Sequence, residues 1–319
     1  MMRLRQAANK RTLVAVVLLV VVGGAILLMT QDPTTFLLAG IHGLTFAALL
    51  FVVASGFTLV FGLMGITNLA HGGFYLLGGY VGYSIAAMTG NWPIALAAGA
   101  VGAGVVGLLA QQLLLRPVQG DEMREALVTV GLSIVIADQL LAFYGGYPDN
   151  VPLPSIVSGA LELGSRSMRY PTFRLAVLGI GIIVGFVLLV ILRRTRLGMA
   201  IRAGVDDREM LGAIGVNVRM VFAVVFLLGS SLAGFSGVIG GSFLSLAPGE
   251  DSRMLLYSLV VVVVGGMRSV TGAALGALLV GLTAEYAAVY APTYAALITF
   301  GMMVVVLIIR PSGLLGSER

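Results

Sequence analysis

FLLAGIHGLTFAALLFVVASGFTLVFG, residues 36–62, contains no Asp, Glu, Lys or Arg. It is longer than the roughly 20 apolar residues a helix needs to cross the ~30 Å hydrocarbon core of a bilayer. Working outward, windows of the same kind fall at 12–30 before it and at 66–88, 93–115, 126–144, 173–192, 220–246, 255–266, 271–290 and 294–309 after it. The expected fold is an all-α polytopic membrane protein, a bundle of about ten transmembrane helices. The window at 255–266 is too short to cross alone and ends in Gly265-Gly266, which predicts a broken or tilted helix. The stretch from Gly62 to Gly73 is irregular as well, because Asn68 and His71 lie among glycines where a lipid-facing span would be rich in leucine.

Composition agrees. Of 319 residues, 59% are apolar and 10% charged, against roughly 45–50% and about 25% in soluble chains. A water-soluble enzyme with one buried core is excluded. The 44 glycines and 10 prolines sit inside the apolar runs, where transmembrane helices tolerate them. Cysteine is absent, which rules out disulfides, Cys-ligated metal sites and thiol nucleophiles. The basic residues are spread over loops without interleaved aromatics, so no nucleic-acid surface is expected.

Assigning alternate loops to alternate sides tests the span count. Of the 19 basic residues, only Arg166, Arg169, Arg174 and Arg253 fall on one side, and the other fifteen fall with the N-terminus. Under the positive-inside rule this places both termini in the cytoplasm. Residues 145–172 then form the longest outer loop, with Asp149, Glu162, Arg166 and Arg169 as its mixed charges. That loop reads equally as a surface for a binding protein and as a solvated, proline-stiffened connection. The apolar stretch 12–30 follows basic residues but exceeds the roughly 7–15 residues of a cleavable signal core, so a retained anchor is expected. Glycines recur four apart at Gly78/Gly82, Gly181/Gly185, Gly237/Gly241 and Gly272/Gly276, the spacing that lets helix backbones approach closely in a membrane.

Little in the chain supports catalysis. No GxSxG, HExxH or GxxxxGK[ST] motif occurs, and no His/Asp/Glu cluster has metal-ligand spacing. Two carboxylates lie at membrane depth, Asp138 in GLSIVIADQLLAF and Glu285 in GLTAEYAAVY. An ionisable group there is costly and is by default a functional candidate. For Asp138 a buried tie to a neighbouring helix is the equal alternative, and Glu285 is close enough to the outer edge to reach water. Asn68 and His71 either line a route through the membrane, as broken helices do, or simply cap the bend.

The longest basic loop is RRTRLGMAIRAGVDDREMLGAIGVNVR, residues 193–219. Asp206 followed by Glu209 is an Asp-led capping box, so a short helix is expected to start at Asp207 and stop at Gly215. Its apolar face would carry Met210, Leu211 and Ile214 beside Asp207, Arg208 and Glu209. Such a helix suits docking into a groove of a soluble partner; a solvated loop whose charges only set orientation fits the residues as well.

Four ordered blocks go further: TLVFGLMGITNLAHGGFYLLGGY (58–80), 193–218 of the basic loop, VVVVGGMRSVTGAALGALLVGL (261–282) and RPSGLLG (310–316). Together they resemble the LivH-type permeases of branched-chain amino-acid ABC importers. E-M-L-x-x-x-G at Glu209–Gly215 is similar to the E-A-A-x-x-x-G loop signature of importer permeases, although the later I-x-L-P is missing. The resemblance covers residues 36–316, the ABC permease transmembrane domain, and leaves 1–35 as an N-terminal stub with an extra span. It implies a subunit of the bacterial inner membrane that works with a second, LivM-like permease, two cytoplasmic ATP-binding subunits and a periplasmic substrate-binding protein. It implies no cofactor in this chain, with ATP-Mg held by the partner ATPases. Asp206, Asp207, Arg208, Glu209, Met210, Leu211 and Gly215 would couple to them, and Asn68, His71, Asp138 and Glu285 are the candidates for the pathway. The implied cargo is a branched-chain or related small apolar amino acid. The alternatives are urea or short amides on the same architecture, or a self-sufficient secondary transporter or channel.

Overall fold

The computed structural model describes residues 32–65, 68–154, 157–162, 169–206, 212 and 215–316. The chain is built from helices α1 (Pro33–Met64), α2 (His71–Thr89), α3 (Trp92–Ala110), α4 (Glu122–Tyr144), α5 (Thr172–Arg194) and α6 (Arg196–Asp206), followed by α7 (Val218–Phe243), α8 (Glu250–Gly265), α9 (Val270–Tyr290) and α10 (Ala295–Ile309). Seven of the helical segments are long and apolar enough to cross a membrane. The chain is a multi-pass membrane protein. The other two apolar windows within the described residues are also helical. The 66–88 window gives α2, whose tyrosines and glycines dilute its hydropathy. The 255–266 window gives α8, which at 16 residues is about 24 Å long, short of the ~30 Å core. It ends at Gly266 with φ +108, as the Gly-Gly pair predicts. The window at 12–30 lies outside the described residues.

Local signals set the helix ends. Asp32 caps α1 by accepting from the Thr35 N–H at 3.1 Å, and Pro33 occupies the first turn, where its missing donor costs nothing. Those bonds to Thr35 favour the charged form and hold the Asp32 carboxyl below its ordinary pKa. Gly65 closes α1 at φ +67, a left-handed cap. Asn91, Asp121, Asn217 and Ser269 cap α3, α4, α7 and α9 in the same manner as Asp32.

Burial sorts the helices into an inner and an outer set. The apolar window of α1 is 83% buried and that of α7 67% buried, against 6% for the segment carrying α10. α7 packs on α1, α2 and α3; α9 packs on α1; α8 bridges α9, α1 and α2; α4, α5 and α10 lie outside them. Exposed side chains on the outer set, including Leu127, Phe143, Ile182, Phe186 and Leu297, require lipid or another protein against them. Inside, hydroxyls satisfy themselves on the preceding turn, as in Thr58 to Ala54 O, Ser230 to Phe226 O and Ser258 to Met254 O. That is how polar atoms survive where no water is available.

The glycine pairs are contact points between helices. A Cβ on Gly78 would overlap the Gly234 backbone, one on Gly234 would overlap the Gly99 carbonyl, and one on Gly99 would lie 2.5 Å from the Gly78 carbonyl. α2, α3 and α7 therefore meet backbone to backbone at three glycines. Gly237 packs on the Tyr75 carbonyl, Gly272 and Gly276 on Gly265 and Val261, and Gly181 and Gly185 on Ala48 and Phe51. Van der Waals contact of this kind supplies association where hydrophobic drive between helices is missing.

Two segments differ from the sequence expectation. The 145–172 loop is tied to the bundle. Its strands Ala160–Glu162 and Arg169–Pro171 pair antiparallel with Leu161 opposite Tyr170, and the ring of fully buried Tyr170 sits 5.0 Å from that of His42. Asp149 exchanges backbone bonds with Leu246 at 2.8 and 2.7 Å, so the loop is stitched to the end of α7. The second difference is α6. Where a loop was expected up to Asp206, a helix begins at Arg196, with Thr195 Oγ1 accepting from Gly198 N–H at 3.1 Å. Asp206 is its last residue. The apolar pattern was present in Leu197, Gly198 and Ile201, which face inward while Arg196, Met199 and Arg202 face out.

Candidate functional site

The break between α1 and α2 is a candidate site made of backbone and two polar side chains. Asn68 and His71 are both buried, at 1% and 0% exposure. Asn68 Oδ1 accepts from Ala70 N–H at 3.2 Å, which caps the start of α2. His71 Nε2 bonds the Val53 carbonyl of α1 at 2.9 Å and must donate, because a carbonyl only accepts. The Phe57 ring stands edge-on to the imidazole at 5.5 Å. The bend is thus held by one atom of each side chain. The other atoms, Asn68 Nδ2 and His71 Nδ1, have no hydrogen-bond partner among the described residues, and a buried unpaired polar atom costs about 1–3 kcal/mol. The break therefore presents one spare donor and, on the neutral imidazole, one spare acceptor inside the bundle.

Asp138 is not the buried tie that stood as the alternative to a functional role. It is exposed on α4 and opens on a cavity of about 260 Å³ together with Leu76, Tyr80, Leu140, Pro248 and Asp251. Asp251, in the first turn of α8 and only 8% exposed, accepts from Ser252 Oγ at 3.3 Å. Sequence reasoning missed it; the signal was an acid placed at the head of the shortest span.

Glu285 sits half-buried on α9 and interacts electrostatically with Arg174 of α5. Arg174 in turn donates to His42 Nδ1 and stacks on Phe243 at 4.7 Å. Beside it, the Tyr170 and Thr45 hydroxyls share a 2.5 Å hydrogen bond. This second polar cluster joins α1, α5, α7 and α9, and places Glu285 near a cation rather than simply at the water edge. Among the described residues nothing brings Asp138, Glu285 and the His71 break into one site. Among the described residues no group of His, Asp and Glu is arranged to hold a metal ion.

Of the coupling segment, residues 207–211 lie outside the described residues. Gly215 is described: it adopts φ +84 and its N–H bonds the Gly212 carbonyl at 3.0 Å, the left-handed turn the glycine stop predicts.

Comparison with known proteins decides the family. Residues 40–307 match the family model described as branched-chain amino acid transport system / permease component. The chain belongs to this permease family. The LivH permease protein of the high-affinity branched-chain amino acid transport system of Salmonella typhimurium is 29% identical over 307 residues, covering 91% of this chain and 99% of its own. The BraD permease protein of Pseudomonas aeruginosa is 28% identical over 294 residues, covering 88% and 95%. Escherichia coli LivM matches at 26% identity, with 86% of this permease and 69% of LivM covered. A solved structure, PsaBC from Streptococcus pneumoniae in complex with Fab, superposes with TM-score 0.50 at 12% identity, covering 91% of the permease and 97% of that chain. That likeness concerns the fold alone.

Proposed function

We propose that the chain is the LivH-like transmembrane subunit of an ATP-driven importer for branched-chain or related small apolar amino acids. The observation that carries this reading is the family match over residues 40–307. Relatives named LivH and LivM both align to the chain, which supports pairing with a second, LivM-like permease. Two cytoplasmic ATP-binding subunits and a periplasmic binding protein complete the machine, in the inner membrane of a bacterium. The chain has no phosphate-binding loop of its own, so ATP-Mg belongs to the partners. Closure of the ATPase pair pushes on residues 206–215, and α6 carries that movement to the cytoplasmic end of α5, on which it packs. Asn68 and His71 at the α1–α2 break, and Asp138 and Glu285 nearer the outer side, are the groups we assign to the route. Each state of the route makes different contacts with the ATPases, and that difference is the coupling free energy.

Two outcomes are expected. Because the chain has no cysteine, single Ser155→Cys and Ser317→Cys variants can be labelled with an impermeant maleimide in intact cells. Ser155→Cys is expected to label and Ser317→Cys to stay protected until the membrane is opened. Labelling of both from outside would refute the orientation.

In vesicles holding the full complex, ATP should drive uptake with the proton gradient collapsed, and Asp138→Asn should keep at least about half of it. Exposed on its cavity, Asp138 need not exchange a proton in an ATP-driven cycle. A proton-coupled carrier needs a group that titrates on every turnover, which asparagine cannot do. Uptake that follows the proton gradient and vanishes in Asp138→Asn would replace the importer by a carrier.

A further inference from the structure

At the corner where α5 turns into α6, the structure holds a cavity of about 370 Å³ that the proposed route does not use. Arg193 at the end of α5, Arg202 on α6 and Arg268 before α9 all line it, with Leu59, Leu192 and Ser269 among the remaining walls. Among the described residues none of the three arginines has a carboxylate within ion-pair distance. Three exposed arginines around one cavity give it a positive field that favours an anion. Arginine's planar fork matches the oxygens of a phosphate in pairs, and the volume lies in the range of small-ligand sites.

Two observations say which phosphate. The cavity is two-sided in chemistry: its polar and basic groups stand beside Leu59, Leu189, Leu192 and Val270, which suit a glycerol and the first acyl methylenes rather than water. It is also bordered by α6, whose Ile201 is buried toward the bundle while exposed Arg202 stands on the cavity. Its walls come from the last turns of α1 and α5 and the first turn of α9, the level at which spans end and basic pockets between them meet anionic lipid. We infer that this cavity is a binding site for the phosphate of an anionic phospholipid, held by Arg193, Arg202 and Arg268. Ser269 and Thr271 share a 3.0 Å hydrogen bond at the start of α9, which leaves one hydroxyl proton as a further donor at a helix N-terminus. The inference does not depend on which cargo the protein moves. It gives the α5–α6 corner a lipid wedge, so that the element next to the coupling segment senses the membrane.

The test uses the purified full chain in detergent, with phosphatidylglycerol, phosphatidylcholine and inorganic phosphate as probes, read by native mass spectrometry and by thermal unfolding. Phosphatidylglycerol is expected to be retained and to raise the unfolding temperature more than the other two. Arg202→Gln with Arg268→Gln should weaken that retention about thirtyfold, at roughly a factor of five for each arginine near a headgroup. Arg194→Gln should leave it unchanged, since Arg194 is exposed on the same turn but does not line the cavity. Equal retention of phosphatidylglycerol and phosphatidylcholine by the unaltered chain would overturn the inference without any variant. Protection by inorganic phosphate equal to that by phosphatidylglycerol would overturn the lipid assignment. Unchanged binding in a folded double variant would move the site elsewhere.

Discussion

Gly78→Val is expected to prevent accumulation of the folded protein. The obstacle to a side chain at Gly78 is the backbone of Gly234 itself, so no rotamer change on the neighbour relieves it. Overpacking that side chains can absorb costs about 1–3 kcal/mol. Here α2 and α7 must move apart, which also loosens Gly99 of α3 from both of them. The expected loss is about 3 kcal/mol or more, a large part of an ordinary stability of roughly 5–15 kcal/mol. Gly131→Ala is the control. Nothing lies within 4 Å of a Cβ there, so that variant should match the unaltered protein or gain up to about 1 kcal/mol from better helix propensity. The yield of monodisperse protein and its unfolding temperature decide the matter. A Gly78→Val protein that unfolds at the same temperature as Gly131→Ala would show that the three helices do not cross as closely as described.

The second large effect concerns the coupling segment. Glu209→Ala together with Gly215→Val is expected to reduce uptake at least about tenfold in vesicles holding the complete importer, while membrane insertion and ATP hydrolysis persist. Among the described residues nothing lies within 4 Å of a Cβ on Gly215, but its φ is +84. A valine there is penalised by backbone conformation alone, by about 1–2 kcal/mol. Gly215→Asn should therefore retain most uptake, because asparagine tolerates the left-handed region. If valine and asparagine behaved alike, the turn at Gly215 would not be what positions the segment. If transport survived Glu209→Ala with Gly215→Val, residues 206–215 would not be the joint to the ATPases.

Several features were legible because they depend on neighbours in the chain. An uncharged run at 36–62 yields the long α1; Gly65 and Gly266 stop helices where the left-handed turn demands a residue without Cβ. The four-residue spacing of Gly78 and Gly82, or Gly272 and Gly276, announces close helix contact from periodicity alone. Likewise the four blocks that resemble the LivH-type permeases are strings, and three of them lie within the residues that match the family model.

Partners across the bundle were not legible. Thr45 meets Tyr170 across 125 residues, and Tyr286 donates to the Phe36 carbonyl across 250. No local pattern carries such pairings. Asp138 has the same apolar neighbours in sequence whether it is buried or open to a cavity with Asp251; only the placement of α8 beside α2 decides it. Arg174 counted merely as an outer basic residue until α1, α7 and α9 brought His42, Phe243 and Glu285 around it. Hydropathy determines which segments leave water, since each segment's transfer free energy is its own. The arrangement of those segments depends on small differences in contact between surfaces that are all apolar, and those differences exist only once the helices are packed.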